Sequence, residues 1–376
     1  MKQNTPLSTL ACNLDTSILQ AALPLLQSAK VEAIEWSFDA LFQIEIIPTW
    51  FQQLLQAFSD EGRLIGHGVF FSLFSGKWAP EQQQWLNQLE ALVKVLPLDH
   101  VTEHFGFMTG ANFHKGAPLG IPFTTSLLSI GQDRLKRISN AAQCPIGLEN
   151  LAFAYSIEEV KWQGDFLSQL LAPVNGFIIL DLHNLYCQMH NFDISKEAIL
   201  ALYPLDQVRE IHISGGSWES TKITPHKKVR RDTHDNKVPQ QVFDLLLHVL
   251  PLCSNLKYVV MEQLGTALKT PTEQHQYQQD YDKMCEITQQ FRQKQISNIA
   301  LKDFLADQQF GLSSPISDDV LWQQQLVLSA ILETAKTYEE ASKRLSDSCL
   351  ANTAWAIENW QPNMLETALS IAQKWQ

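Results

Sequence analysis

From about residue 10 to about residue 295, short apolar runs alternate with longer amphipathic stretches, and this rhythm restricts the fold more than any other feature of the chain. Strands joined by helix-length connections run parallel, because each crossover returns the chain to the same end of the sheet. Eight runs have strand character: 10–14, 33–37, 63–69, 100–105, 146–151, 177–182, 208–214 and 258–264. Helical spacing over 16–29, 80–95, 125–142, 157–171, 239–249 and 272–294 supplies crossovers between and after them. Eight such units predict an α/β fold, a closed (β/α)8 TIM barrel over residues 1–296. An open doubly wound sheet would gather its ligand at one switch point, and no G-x-G-x-x-G follows any of these runs.

After about Ser297 the pattern changes to Leu, Ala, Gln and Trp at helical spacing, broken at 311–315 and 361–362. This predicts a C-terminal helical extension, residues 297–376. Leu321, Trp322, Leu326, Leu328, Leu332, Trp355 and Trp360 can pack it on the barrel or on a second subunit. The sharper reading is that it recognises a leader peptide or a partner protein. Two connections are long: 108–123, rich in Gly and Pro, and 215–238, rich in charge and His. Long loops after barrel strands form the mouth of an active site, and 108–123 could cover a bound chain end.

A net charge of -12 argues against a nucleic-acid partner, since neutralising phosphates needs clustered cations. One basic cluster, Lys227, Lys228, Arg230 and Arg231, reads as a solvated loop. The six cysteines are scattered without a C-x-x-C, which suggests neither a disulfide framework nor a zinc ribbon. No signal-peptide run and no stretch of roughly 20 apolar residues is present, so a cytoplasmic location away from membranes is expected.

Ionisable residues mark the ends of six successive strand-like runs: His67, Glu103-His104, Glu149-Asn150, Asp181-Leu182-His183-Asn184, His212 and Glu262. The loop after the seventh run adds Asp232, His234 and Asp235. Singly, each is an ordinary hydrogen-bonding or helix-capping residue. Together they would crowd like charges into one barrel mouth, which cations would offset. The expected ligands are His67, His104, Glu149, Asp181, Asn184, His212, Asp232, His234 and Glu262. Glu149 is the bridging carboxylate between a site with His67 and His104 and a site with Asp181, His212 and Glu262. Asp232 and His234 could hold a third ion with Asn184 or His183. Imidazole and carboxylate donors suit zinc, iron or manganese.

Gly66-His67, Glu103-His104-Phe105, Glu149-Asn150, Asp181-x-x-Asn184-x-Tyr186, Ile211-His212-Ile213-Ser214-Gly215-Gly216, Asp232-x-His234-Asp235 and Glu262 resemble, in order and spacing over residues 30–265, the multinuclear non-haem iron-dependent oxidases. That family, once catalogued only as a domain of unknown function, includes the methanobactin biosynthesis oxidase. The resemblance implies two or three iron ions, dioxygen as co-substrate, and oxidation of a cysteine in a ribosomally made precursor peptide, with a separate partner protein for leader recognition. It also implies that Asn150, Asn184 and Asp235 orient ligands or the peptide backbone. A more distant resemblance is to apurinic-site endonucleases with three zinc ions, whose ligand order has His where this chain has Asn184. A sugar isomerase of the xylose-isomerase type shares the barrel, and a scaffold whose metals only stabilise it is the non-catalytic alternative.

Overall fold

The structure, a computed structural model, describes residues 5–42, 44, 46–108, 118–294 and 301–374. Eight parallel strands close into a barrel: β1 (Leu7–Ala11), β2 (Ala33–Trp36), β3 (Leu64–His67), β4 (Val101–His104), β5 (Ile146–Glu149), β6 (Phe177–Asp181), β7 (Val208–Ile213) and β8 (Tyr258–Met261). Each pairs with its neighbour in sequence, and β1 returns to β8 with Leu7 opposite Tyr258 and Leu10 opposite Met261, so the barrel has no open edge.

The helices Pro80–Val95, Thr125–Ala142 and Ile157–Leu171 occupy the residues their periodicity predicts. Local chemistry fixes their ends: the Thr124 and Ser156 side chains accept from Leu127 N and Glu159 N, and Gln143 turns left-handed at φ 55°. The first strand differs from expectation, lying at Leu7–Ala11 and not at 10–14. Asp15 accepts from Ser17 N and Ile18 N to cap the next helix, so Cys12–Asp15 must serve as the turn. The connection after β7 is not a plain loop either, since Trp218–Ser220 and Lys228–Arg230 pair as an antiparallel hairpin.

Alternation along the strands separates two environments. Ile211 and Ile213 of β7 join the large core between strands and helices, whereas Ala33, Ile65, Tyr258 and Val260 form a small cluster inside the barrel. Glu35, Glu210 and His100 are buried at positions where such barrels carry branched aliphatics, and His100 packs edge-on against Phe177 and Tyr258.

Beyond the barrel lie the helices Asp319–Thr334, Tyr338–Ser346 and Pro362–Gln373. The first docks behind β3, where Gly76 N donates to Gln325 Oε1 (2.8 Å) and Gln325 Nε2 donates to Phe74 O (2.7 Å). The last reaches the barrel mouth: Trp360 stacks on Tyr155 with centroids 3.6 Å apart, and Gln361 N donates to Tyr155 O (2.9 Å). Leu321, Leu328, Leu332, Trp355 and Trp360 are buried as their spacing suggests, while Leu326 is exposed on the outer face of its helix. Among the described residues, no helix is long and apolar enough to cross a membrane.

Candidate metal centre

Parallel strands deliver their C-terminal residues to one end of the barrel, and there the ionisable side chains meet. His67, His104, Glu149 and Asp181 are the last residues of β3 to β6, His212 is the penultimate residue of β7, and Glu262 directly follows β8. Four groups of donor atoms result among the described residues, each within 4.8 Å: His67 with His104 and Glu149; Glu149 with Asp181 and His212; Asp181 with His234 and Glu262; and, deeper in the barrel, Glu35 with Glu210 and His212. Glu149, Asp181 and His212 each belong to two groups.

In the first group, His67 Nε2 lies 3.3 Å from His104 Nε2, and both lie 3.5 Å from Glu149 Oε2. Thr102 Oγ1 donates to Gly66 O, so it accepts from His67 Nδ1 at 2.8 Å. That bond fixes the tautomer and leaves the Nε2 lone pair facing Glu149. In the second, His212 Nδ1 lies 3.3 Å from Glu262 Oε2, while its Nε2 meets Glu210 Oε1 at 2.9 Å and Glu35 Oε2 at 3.2 Å. Glu210 in turn bonds His100 Nε2 at 2.5 Å.

The third group depends on the loop after β7. His234 has a φ of 51°, unusual for a residue with a side chain, and Leu264 N donates to His234 O, which anchors the loop to the end of β8. His234 Nε2 is 2.9 Å from Asp232 Oδ1. His183, buried and not solvent-facing, bonds Asp232 Oδ1 through Nδ1 (3.0 Å) and accepts from Arg230 Nε (3.1 Å). Asn184 sits between the groups: its Nδ2 donates to Glu149 Oε1 (3.1 Å) and Asn150 O (2.8 Å), and its N donates to Asp181 Oδ1 (2.6 Å).

Of the expected orienting residues, Asn150 holds the backbone of the candidate ligand Asp181, accepting from Asp181 N (2.7 Å) and donating to Asp181 O (3.3 Å), whereas Asp235 departs from expectation. Asp235 is exposed and accepts from Thr233 Oγ1 (2.6 Å) and Asn236 Nδ2 (3.0 Å); left-handed His234 turns the chain there, and Asp235 stays outside the cavity. The basic cluster also departs from a solvated loop, since Arg230 is buried. Of the connection 108–123, residues 109–117 lie outside the described residues.

The electrostatics is that of a site short of positive charge. Burial pushes the Glu149 carboxyl well up and Asp181 up to about 7, with neighbouring acids adding to both. Burial alone would raise Asp232 and Glu262 too, but His234 beside the first and His212 beside the second hold them low. Burial and His neighbours push His67 well down and His104 down to about 4. Glu149 Oε2, Asp181 Oδ2, Asn184 Oδ1 and His104 Nδ1 are buried without a hydrogen-bond partner. Stranded acceptors and lone pairs that face one another are what a bound cation would satisfy, so these residues fit transition-metal ions. No cysteine joins a donor group among the described residues.

The groups open into a cavity of about 390 Å3. His67, His104, Glu149, Asn184, His234 and Glu262 line its inner end. Phe153, Leu264, Met364 and Ile371 make an apolar outer wall, so the helix Pro362–Gln373 is part of the cavity as well as of the packing. Sequence reasoning missed Glu35, Glu210 and His100. Glu210 and His212, two apart on one strand, share a face, and that spacing was the available signal.

A closed barrel with clustered imidazoles and carboxylates at its C-terminal mouth defines a candidate metal-binding (β/α)8 barrel. The chain belongs to the family of RiPP precursor modification enzymes MbnB/TglH/ChrH, whose profile matches residues 30–268. It is 30% identical over 154 residues to a UPF0276 protein of Acaryochloris marina, covering 40% of this chain and 54% of that one. It is 25% identical over 180 residues to a UPF0276 protein of Shewanella oneidensis, covering 48% of this chain and 61% of that one. These matches thus span between half and two thirds of the relatives' length. Among solved structures, a xylose isomerase domain protein from Planctomyces limnophilus is similar at 12% identity and TM-score 0.49, over 77% of this chain and 99% of that one.

Proposed function

We propose that the protein is a metal-dependent oxidoreductase that oxidises a cysteine of a ribosomally made precursor peptide with dioxygen, holding two or three iron ions, with zinc as the alternative metal. The observation that carries this reading is the sharing of Glu149 and Asp181 between adjacent donor groups, so that each carboxylate could serve more than one ion. His67, His104 and Glu149 would hold one ion, Glu149, Asp181 and His212 a second, and Asp181, His234 and Glu262 a third. Asn184 Oδ1 and Asp232 complete the set. Bound iron would supply a thiolate ligand position and one-electron chemistry with dioxygen.

The chain's own residues do the rest. Thr102, Glu210 and His183 orient His67, His212 and Asp232 from behind. Asn150 and Asn184 lock the ends of β5 and β6 together, which sets the spacing of Glu149 and Asp181. The apolar wall of Phe153, Met364 and Ile371 keeps water from a bound peptide and favours an extended chain segment. The helical extension, residues 297–376, would then be both a packing module and a substrate wall beside the catalytic barrel, residues 1–296. A separate partner protein could present the leader.

Anaerobic purification, metal analysis and incubation with cysteine-containing peptides test this reading. The expected outcome is about two or three transition-metal ions per chain, oxygen consumption, and a peptide mass change. Cleavage of abasic DNA or turnover of sugars without peptide oxidation would overturn it in favour of an endonuclease or an isomerase. Closed sites with no exchangeable ligand position would favour a scaffold.

A further inference from the structure

Arg230 ends the second strand of the hairpin after β7, and its backbone is fixed by Asn191, whose Oδ1 accepts from Arg230 N (2.8 Å) and whose Nδ2 donates to Arg230 O (3.0 Å). The residue is 5% exposed. Its guanidinium lies near the rings of Tyr186 and Trp218, 5.6 and 5.1 Å from their centroids, and Nε donates to His183. These contacts hold the fork in place without neutralising it. Among the described residues, Arg230 forms no ion pair and neither Nη nitrogen has a hydrogen-bond partner. The nearby acids are committed elsewhere: Glu219 to Arg231, and Asp232 to His183 and His234. Arg230 lines the same cavity as His104, Glu149 and His234.

A guanidinium held in a cavity with free Nη donors and no counter-ion is a ready site for an anion. Its planar fork matches a carboxylate in two parallel hydrogen bonds. We propose that Arg230 is a substrate-recognition residue that takes a carboxylate of the peptide beside the residue held in the metal cup. That carboxylate is either the α-carboxylate of the chain end or an Asp or Glu side chain. The inference rests on the cavity being a peptide site, and it names what the peptide must carry there: one negative charge within reach of Arg230.

The test is calorimetric titration of the metal-loaded protein with Ac-Ala-Ala-Cys as free acid and as amide, the Ser counterparts of both, and Ac-Ala-Asp-Cys amide. At least one anionic peptide is expected to bind about tenfold or more tightly than Ac-Ala-Ala-Cys amide. In Arg230→Gln that preference falls to about twofold or less, and in Arg230→Lys it returns in part, whereas a purely structural role would weaken acid and amide alike. The free acid and the Asp peptide separate the two sources of carboxylate. Equal binding of anionic and neutral peptides by the unaltered protein, or a preference untouched in Arg230→Gln, overturns the inference; the first result needs no variant to fold. Acid preference with Cys and Ser bound alike supports Arg230 while overturning the cysteine reading of the function.

Discussion

A buried carboxylate keeps its place by holding a proton, by accepting hydrogen bonds or by facing a cation, and Asp39 shows the first two in competition. Its Oδ2 accepts from Val69 N (2.9 Å), Phe70 N (3.0 Å) and Trp85 Nε1 (3.0 Å), which shapes the turn leaving His67, while Oδ1 is buried without a partner. Burial outweighs the three bonds and pushes the carboxyl from its ordinary 3.8 up to about 6. The folded state therefore binds the proton more tightly than the unfolded one. Below about pH 4 the group is neutral in both states and costs nothing; from there to about pH 6 stability falls as pH rises, by about 3 kcal/mol in all, and above that the loss is constant. Asp39→Asn keeps the acceptor and removes the titration. Its melting temperature relative to the unaltered protein is expected to rise between pH 4 and 7 and then level off. A difference that stays flat across that range would show that Asp39 does not titrate there.

At the scale of elements, the loop after β7 carries Asp232 and His234, and its course depends on two glycines. A Cβ on Gly215 would lie 2.1 Å from Lys237 O, and one on Gly216 would lie 2.1 Å from Arg231 O and 2.8 Å from His183 Cε1. The outgoing and returning limbs touch backbone to backbone, which only glycine allows. Gly216→Ala is expected to cost about 1–3 kcal/mol of stability and to displace Asp232 and His234. Metal analysis should then show loss of the ion assigned to His234, with the His67 and His104 ion retained. Equal loss of all ions, or none, would separate this loop from the third site. The Gly-Gly pair stands plainly in the sequence, and so does the spacing of Asp232 and His234; the partner that makes the glycines necessary lies some 15–22 residues on and does not. The same limit applies to the helix Pro362–Gln373. Its apolar positions Met364 and Ile371 read identically whether they meet a core or a cavity, because periodicity reports burial and not the identity of the neighbour.

For the whole molecule, the parallel barrel makes the site, since one topology sends the ends of six strands to one place. That is why His67, His104, Glu149, Asp181, His212 and Glu262 were legible together: each sits where an apolar run stops. Glu35, Glu210 and His100 were not, because interior strand positions look alike until the register of the barrel is known, and an acid amid apolar residues reads as an interruption. The closed sheet also concentrates acids, adding Glu35 and Glu210 beneath a cup that already holds Glu149, Asp181, Asp232 and Glu262 in a chain of net charge -12. Without ions the cup must take up protons and cationic imidazoles instead, as the raised Glu149 and Asp181 and the raised His212 and His234 indicate. Ions that bind only the folded barrel stabilise it by mass action, about 1.4 kcal/mol for each tenfold excess of free ion over its dissociation constant. A barrel of this size converts that into about 2 °C of melting temperature per decade. Removing metal with a chelator is therefore expected to lower the melting temperature, and titrating iron(II) back anaerobically should restore it in proportion to the logarithm of free metal. His67→Ala with Glu149→Gln should flatten that slope while leaving the folded barrel detectable by circular dichroism. A melting temperature indifferent to chelator and to added iron, zinc or manganese would mean that the cup is a protonated polar core and not a metal centre.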